Sequence, residues 1–245
     1  MLYFSLKQKG GARVLIGVLV NSAAIIIGGF LGAILRNITE EMKDTVTKGI
    51  GLGVLVLGVQ MAIKTQSFTL MIISLCIGAM IGEWVDIENR MNRLGLFLEK
   101  RFARSDSNFA EGFVTASLIF VIGSMGIIGS IESGVSGNHA TLYTKAVMDG
   151  FLSIMLTASL GVGVLFSAIP IFLYQGTIVL AASVLVRLIP PELMTELMGE
   201  ISAIGGIMIL GIGVNILKLS YIRVSNFLPG IVVMILLMCV QYVYF

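Results

Sequence analysis

Long apolar segments dominate this sequence, and several approach or exceed the ~20 residues with which an α-helix crosses a membrane. The first, residues 14–35, has a single strongly polar side chain, the amide of Asn21. Charged residues make up 12% of the chain and hydrophobic residues 57%, whereas a soluble domain carries about 25% charged residues. The sequence therefore predicts an all-α, polytopic transmembrane protein and excludes a soluble domain.

The apolar segments predict about eight spans. In the stretch 86–111, charges alternate with apolar residues at helical spacing, which is typical of an amphipathic helix on the membrane surface; a solvated linker is the alternative. Residues 1–13 lack a small-residue cleavage site and are interpreted as an N-terminal extension. The predicted spans are 14–35, 49–63, 68–82, 112–131, 142–168, 171–186, 201–217 and 227–245.

The two halves of the chain resemble each other. At an offset of 155 residues, Gly51 corresponds to Gly206 and Gly58 to Gly213, so spans one to three match spans six to eight. Five crossings separate span one from span six, which makes the predicted units inverted, as in many secondary transporters. Chance similarity among glycine-rich helices is the alternative. The predicted architecture is thus an inverted 3+3 repeat around a central two-helix element.

This architecture divides the chain into five predicted parts. They are an N-terminal extension (1–13), a first three-helix repeat (14–85), an amphipathic cytoplasmic helix (86–111), a central helix pair with a polar glycine-rich connection (112–168) and a second three-helix repeat (169–245). Lys and Arg are more frequent on the side that carries the loops after spans one, three, five and seven. The positive-inside rule then predicts an N-terminus outside the cell.

Ionisable residues collect in the glycine-rich stretch 123–150, which contains Glu132, Lys145 and Asp149. A charge at the centre of a membrane helix costs about 2.5–3.5 kcal/mol on insertion scales, so such residues commonly mark a pathway or a site. Lys145 and Asp149 are four residues apart and would share one helix face. This pattern favours a cation or proton site or a polar gate. The alternatives are a structural ion pair and a solvated loop.

Four amides form two pairs in the predicted repeat, namely Asn21 with Gln175 and Gln60 with Asn215. Amides in membrane helices either line a solute path or bond neighbouring helices, at typically ~0.6 kcal/mol each. Their matched placement makes all four candidates for a transport path. Packing is the alternative.

The sequence carries no signature of an enzyme and predicts no cofactor. It lacks the HExxH, GxSxG and P-loop patterns, and its Gly-x-Gly runs lie within apolar helices. One histidine does not support a usual metal site, and metal binding is left open. No basic cluster resembles a nucleic-acid surface.

Glycine-rich motifs recur along the whole chain. They comprise Gly17 with Asn21, Gly28-Gly29 with Gly32, Gly78 with Gly82-Glu83, Gly126-Ile-Ile-Gly-Ser-Ile-Glu132 with Gly134 and Gly137, Lys145 with Asp149, and Asn226 with Pro229. Over residues 14–245 this pattern resembles the bacterial membrane family of domain of unknown function 554, which includes YdfK-like and YqgA-like proteins. Asn138 stands where members often have Asp, and Ala146 where Ser often follows the Lys. If that Asp is an ion ligand, this chain keeps only the amide.

The resemblance implies a fold and a bacterial cytoplasmic (inner) membrane, and no established activity. From the residues, we predict an integral membrane transporter or channel for an ion or small polar solute that is not ATP-driven by itself. The alternative is a scaffold or sensor that acts through the helix at 86–111. The lipid bilayer and the solute are the expected partners. A small-residue face such as Gly28–Gly32 also permits a homodimer.

Overall fold

A computed structural model of the chain describes residues 14–34, 39–102 and 108–244, and within them every regular element is helical. The predicted extension at 1–13 lies outside these residues. The helices are α1 (Ile16–Ile34), α2 (Glu40–Ala62), α3 (Phe68–Val85), α4 (Ile87–Phe102), α5 (Phe109–Val121), α6 (Ser124–Ser136), α7 (Ala140–Leu160), α8 (Gly163–Phe166), α9 (Ala168–Leu188), α10 (Pro191–Ile216) and α11 (Pro229–Tyr244), with a 3₁₀ turn at Val224–Phe227.

The prediction of an all-helical membrane protein is confirmed. Among the described residues, six stretches are long and apolar enough to cross a membrane, and a seventh is α5 with α6 if the bent pair is one span. They are Ile16–Ile34, Asp44–Ala62, Phe68–Val85, Gly163–Arg187, Leu193–Ile216, Val224–Tyr242 and the pair Phe109–Val121 with Ser124–Ser136.

Helix α7 is the predicted span that this set leaves out. It is 21 residues long, but it carries several buried polar side chains, among them Lys145, Asp149, Ser153 and Thr157. Its most extensive contacts are with α1, and it also touches α2, α5 and α6. Val147 and Phe151, on another face of α7, are exposed. The face that packs on other helices can keep polar groups, because protein rather than lipid satisfies them. The count of eight spans, which includes α7, stays a prediction.

The predicted fourth span, 112–131, is broken in the structure. Helix α5 ends at Val121, α6 begins at Ser124, and their axes differ by 62°. Gly123 has φ +138°, a conformation that glycine adopts without steric cost. The predicted polar connection is therefore mostly helical, since α6 occupies its first half and only residues 137–139 separate α6 from α7.

The connection from α7 to α9 also differs from the prediction. The sequence predicted that span 142–168 leads almost directly into span 171–186, but α7 already ends at Leu160, and Gly161 follows with φ +91°. The one-turn helix α8 then leads into α9. Pro170 lies in the first turn of α9, where its missing N–H would have had no partner within the helix.

Helix α4 has the amphipathic character predicted for 86–111. Of the rest of that range, 103–107 lie outside the described residues and 109–111 belong to α5. Gly95 packs against Ala110 at the start of α5, so this face of α4 lies on the protein. Leu94 and Phe97 are exposed, as are Arg90 and the other basic residues described on this helix. An exposed surface of apolar and basic side chains suits a helix at the membrane interface. That α4 binds a cytoplasmic partner stays a prediction.

Each helix of the first predicted repeat packs against its counterpart in the second. The pairs are α1 with α9, α2 with α10 and α3 with α11. Between α2 and α10 the contacts are reciprocal. A Cβ atom at Gly58 would lie 2.7 Å from the backbone nitrogen of Leu210, and one at Gly213 would lie 3.1 Å from that of Leu55. Adding 155 to residue numbers 55 and 58 gives 210 and 213, so each contact joins a residue to the counterpart of the other's partner. A two-fold axis between the helices produces this reciprocal relation.

The other two helix pairs are also in direct contact. Asn21 of α1 contacts Gln175 of α9, and a Cβ at Gly78 of α3 would lie 2.2 Å from the nitrogen of Gly230 in α11. These contacts support the inverted repeat, which itself stays a prediction.

Candidate functional site

The centre of the molecule contains a buried ion pair on α7. The Lys145 ammonium lies 3.0 Å from Oδ1 and 2.9 Å from Oδ2 of Asp149, and the two residues are 7% and 4% exposed. Removing two charges from water costs several kcal/mol each, and their attraction offsets this cost only when further hydrogen bonds complete the geometry. The predicted helical pairing of these two residues is observed, and both residues are buried.

Two amides complete the site. The Asn21 side-chain NH₂ donates to Asp149 Oδ2 at 3.1 Å and to Gln175 Oε1 at 3.2 Å. Both amide residues are fully buried. Three helices, α1, α7 and α9, thus meet at four polar side chains that the sequence had marked as candidates separately. We call Asn21, Lys145, Asp149 and Gln175 the polar cluster.

Small residues allow α1 to approach α7 closely enough for this contact. A Cβ at Gly28 would lie 2.2 Å from the carbonyl oxygen of Gly150, so only glycine fits there. One turn away, Ser153 Oγ donates to the carbonyl of Ile25 at 2.7 Å. A Cβ at Gly32 would lie 2.3 Å from the carbonyl oxygen of Ile154. The face predicted to permit a homodimer is therefore occupied within the chain.

A cavity of about 260 Å³ opens beside the polar cluster. We call it the pair cavity, because Lys145 and Asp149 form part of its wall. The broken segment between α5 and α6 forms another part, together with the C-terminal half of α2 and the middle of α10. Its lining residues are Leu57, Gln60, Met61, Lys64, Ile119, Ile122, Gly123, Ser124, Met125, Gly126, Lys145, Met148, Asp149, Leu152, Ser202 and Ile209.

Comparison with known proteins agrees with the helical membrane architecture. A family model described as a protein of unknown function, DUF554, matches residues 16–239. The chain belongs to the DUF554 family. It is 33% identical to the uncharacterized membrane protein YdfK of Bacillus subtilis, over 89% of this chain and 93% of YdfK. It is 29% identical to the uncharacterized protein YqgA of Escherichia coli, over 88% and 93% of the two chains. No solved structure matches the chain significantly.

The remaining candidate residues of this DUF554 member lie apart from the polar cluster. Glu132 is on α6 and accepts a hydrogen bond from Thr141 Oγ1 at 2.7 Å, which joins the two ends of the connection from α6 to α7. Asn215 is bonded in both directions to the backbone of Ile222, at 2.8 Å each. Gln60 is exposed and lines the pair cavity with Lys64. Thus Asn21 and Gln175, the first predicted amide pair, are in contact. In the second pair, Asn215 bonds a loop and Gln60 lies on the cavity wall.

Sequence reasoning did not single out two buried carboxylates that stabilise loops. Glu200 of α10 accepts hydrogen bonds from Thr65 Oγ1 at 2.7 Å and from the backbone nitrogens of Gln66 and Ser67 at 2.6 and 3.1 Å. Glu88 of α4 accepts from the nitrogen of Ser225 at 3.0 Å. Their partners are mostly backbone groups of distant segments, which leave no pattern in the sequence.

Two motifs of the family resemblance meet in space. A Cβ at Gly82 would lie 2.0 Å from the carbonyl oxygen of Asn226, and the Asn226 amide donates to Glu83 at 2.6 Å. Arg223 pairs with Glu83 as well. Nearby, partial burial and the Glu88 carboxylate raise the pKa of the Tyr221 phenol. This group joins α3, α4 and the entry to α11, so its evident role is structural.

Proposed function

We propose that this DUF554 protein is a membrane transporter or channel for an ion or small polar solute, and that the solute passes through the pair cavity. The observation that carries the proposal is the buried Lys145–Asp149 pair at the wall of that cavity. Ion pairs are costly to place among apolar helices and are commonly functional where they border a cavity. Broken helices around a central site are also typical of secondary transporters.

The amides have distinct roles in this proposal. Asn21 and Gln175 position Asp149 from two helices, and their contact joins the two predicted repeat units at the site. Gln60 lies on the cavity wall near Lys64 and contacts the solute on entry. Glu132 and Asn215 stabilise connections and lie outside the path.

Flux into proteoliposomes tests this proposal. Purified protein is reconstituted, and stopped-flow light scattering follows the entry of a panel of sodium and potassium salts, small organic anions, amines and polyols. We expect at least one solute to enter faster than in protein-free vesicles. Asp149→Asn and Lys145→Ala should remove this excess rate. Asp44→Asn and Lys48→Ala, which alter an exposed Lys–Asp pair of the same spacing, should retain it.

Two results would overturn the proposal. One is a panel in which no solute enters faster than through protein-free membranes. The other is an excess rate that Asp149→Asn and Lys145→Ala leave unchanged.

We further propose that the protein resides in the bacterial inner membrane with its N-terminus outside. The basic surface of α4 supports this orientation, since positive residues favour the cytoplasmic side. Lys64, at the mouth of the pair cavity, is then extracellular. In a cysteine-free variant, a membrane-impermeant thiol reagent should label Lys64→Cys in intact cells and Lys100→Cys only after permeabilisation. The reverse result would invert the orientation.

A further inference from the structure

The start of α6 forms part of the wall of the pair cavity. Gly123, Ser124, Met125 and Gly126 all line it, and the helix has no side-chain cap. The first N–H groups of a helix have no acceptor within that helix, and the helix dipole adds partial positive charge there. The break at Gly123 therefore presents N–H donors to the cavity. A 13-residue helix is long enough for this effect.

The charges of the cavity wall are positive in sum. Lys64 and Lys145 contribute two positive charges and Asp149 one negative charge. Glu200 also carries a negative charge nearby, but it does not line the cavity, and its oxygens accept hydrogen bonds from the segment around Thr65. An ammonium has three N–H donors, so Lys145 can bond Asp149 and still donate to a ligand.

A buried donor without a partner lies behind the cavity wall, beside Gly126. Gln175 Oε1 accepts from Asn21, which fixes the orientation of the amide. Its Nε2 has no acceptor among the described residues, although the residue is fully buried, and the Oδ1 of Asn21 beside it has no donor there. This nitrogen lies 3.5 Å from the point that a Cβ at Gly126 would occupy, and Lys145 Cε lies 3.4 Å from it. Buried polar groups are seldom left unpaired, so a group that accepts hydrogen bonds is expected here.

The rest of the wall is mostly apolar. Ile119, Met125, Met148, Leu152 and Ile209 line the cavity, and the hydroxyls of Ser124 and Ser202 lie 3.4 Å apart at its side. An inorganic anion would gain nothing from such a surface. An anion that carries a short apolar body would bury it there.

We propose that the pair cavity binds a small monocarboxylate. Its carboxylate accepts hydrogen bonds from the N-terminus of α6 and from Lys145 and Gln175, and its hydrocarbon part lies along the apolar wall. The same combination of a broken-helix N-terminus and an anionic group occurs in transporters of other folds. This inference rests on the proposed transport function and assigns the substrate class of its site.

Binding to the purified protein tests the inference without any need for flux. Butyrate is the probe, with n-butylammonium and n-butanol as matched cationic and neutral controls of similar apolar length. The dissociation constant is taken from the rise of the unfolding temperature with ligand concentration. Butyrate should bind, and both controls should bind at least about tenfold more weakly, because a charged group loses its hydrogen bonds without its partner.

Variants locate the site. Gln175→Leu keeps the size of the side chain and removes the free donor, and Lys145→Met removes the ammonium. Each should weaken butyrate binding about tenfold or more, whereas Lys48→Met at the opposite end of the helices should not. Lys145→Met leaves Asp149 unpaired and can fail to fold, so Gln175→Leu and the ligand comparison in the wild type are decisive. Butyrate should also slow thiol modification of Ser202→Cys in a background with Cys76→Ala and Cys239→Ala.

Three results would overturn the inference. They are equal binding of butyrate and butanol, tighter binding of butylammonium, and butyrate binding that Gln175→Leu leaves unchanged. Failure of the transport proposal looks different, since butyrate would then bind while no solute of the panel crossed the membrane. If a solute crosses the membrane but butyrate does not bind, the transport proposal stands and the assignment of a monocarboxylate substrate is wrong.

Discussion

Two Lys–Asp pairs in this molecule have the same spacing and nearly the same length, and their surroundings are opposite. In α2, Lys48 lies 2.6 Å from Asp44, with side chains 63% and 62% exposed. In α7, Lys145 lies 2.9 Å from Asp149, with side chains 9% and 5% exposed. Exposed pairs of this kind contribute about 0.3–0.5 kcal/mol, whereas breaking a buried pair costs about 3–5 kcal/mol. The free-energy cost of breaking such a pair therefore depends more on its burial than on the distance between its charged groups.

Each pair borders a cavity, and the two cavities lie at opposite ends of the same four helices, α2, α5, α7 and α10. The exposed pair borders a second cavity of about 260 Å³, which we call the far cavity. Its lining is mostly polar, and that of the pair cavity mostly apolar. The residues that line the far cavity are Asp44, Thr47, Lys48, Asn108, Glu111, Ser159, Leu160, Ile216, Leu217 and Lys218.

An apolar belt separates the two cavities. Val54, Leu118, Leu156 and Ile212, one from each of the four helices, are at most 5% exposed and belong to one core cluster. Six to eight residues on each helix lie between the lining residues of one cavity and those of the other, which places these lining residues about 10–13 Å apart along the helix axes. The polar cluster therefore borders only the pair cavity, and the belt lies between it and the far cavity.

The largest expected effect is on access to the two cavities. In a background with Cys76→Ala and Cys239→Ala, a membrane-impermeant thiol reagent should modify Ser202→Cys from one side of the membrane and Ser159→Cys from the other. The apolar belt is the reason, since it blocks passage between the cavities. Labelling rates in right-side-out and inside-out vesicles measure this. Modification of both positions from one side would show that the belt is open.

Next in size is the stability of the two ion pairs. Lys145→Met should lower the free energy of unfolding by about 3–5 kcal/mol, because a buried carboxylate loses its partner. Lys48→Met should lower it by about 0.5 kcal/mol or less. Denaturant unfolding in mixed micelles measures both. The double variant Lys145→Met/Asp149→Leu should recover most of the loss, and a double variant as unstable as the single one would contradict a pairing role.

The glycines at the contact between α2 and α10 set the separation of these two helices, which both contribute to the apolar belt. Gly206→Ala should cost about 1–3 kcal/mol, because its Cβ would lie 2.4 Å from the nitrogen of Ala62. Gly53 has no atom within 4 Å of its Cβ position, so Gly53→Ala should stabilise the helix by about 0.5–1 kcal/mol. Thermal unfolding of both variants measures the difference. Equal effects would mean that α2 and α10 are not in close contact.

The smallest effect concerns Tyr221, in the loop that follows the far cavity. Its pKa is raised in the folded protein by partial burial and by Glu88, so the neutral phenol is favoured. Its stabilising contribution is complete below the ordinary pKa of Tyr and is lost as the pH rises through the higher folded value. The absorbance difference between wild type and Tyr221→Phe gives the midpoint. Glu88→Gln should lower this midpoint, and Glu111→Gln, an exposed control at the same end, should not.

Much of the helical architecture follows from the sequence, because hydrocarbon imposes a simple rule on length and polarity. The apolar stretches of α1, α3 and α11 were predicted close to their observed limits. The central helices were harder to predict. Gly123 is one of several glycines in its segment, and only the backbone conformation distinguishes the one that breaks the helix.

The candidate site was predictable in part. Helical spacing was enough to pair Lys145 with Asp149, since the i, i+4 relation is local. The repeat related Asn21 to Gln175, but their contact depends on how closely α1, α7 and α9 approach. Glu132 and Asn215 had the same polarity and a similar glycine-rich context. They differ because their partners, Thr141 and Ile222, lie fewer than ten residues away along the chain, and such local hydrogen bonding does not appear in a pattern of residue types.

The break at Gly123 has a consequence for hydrogen exchange. Amides inside membrane helices exchange slowly with deuterated water, because each is bonded and shielded. The N–H groups of Gly123, Ser124, Met125 and Gly126 line a cavity at an uncapped helix start, so they should exchange faster than those of α5 and of the later turns of α6. A bound carboxylate should slow these four amides. Their exchange rates therefore report on the occupancy of the site without any label.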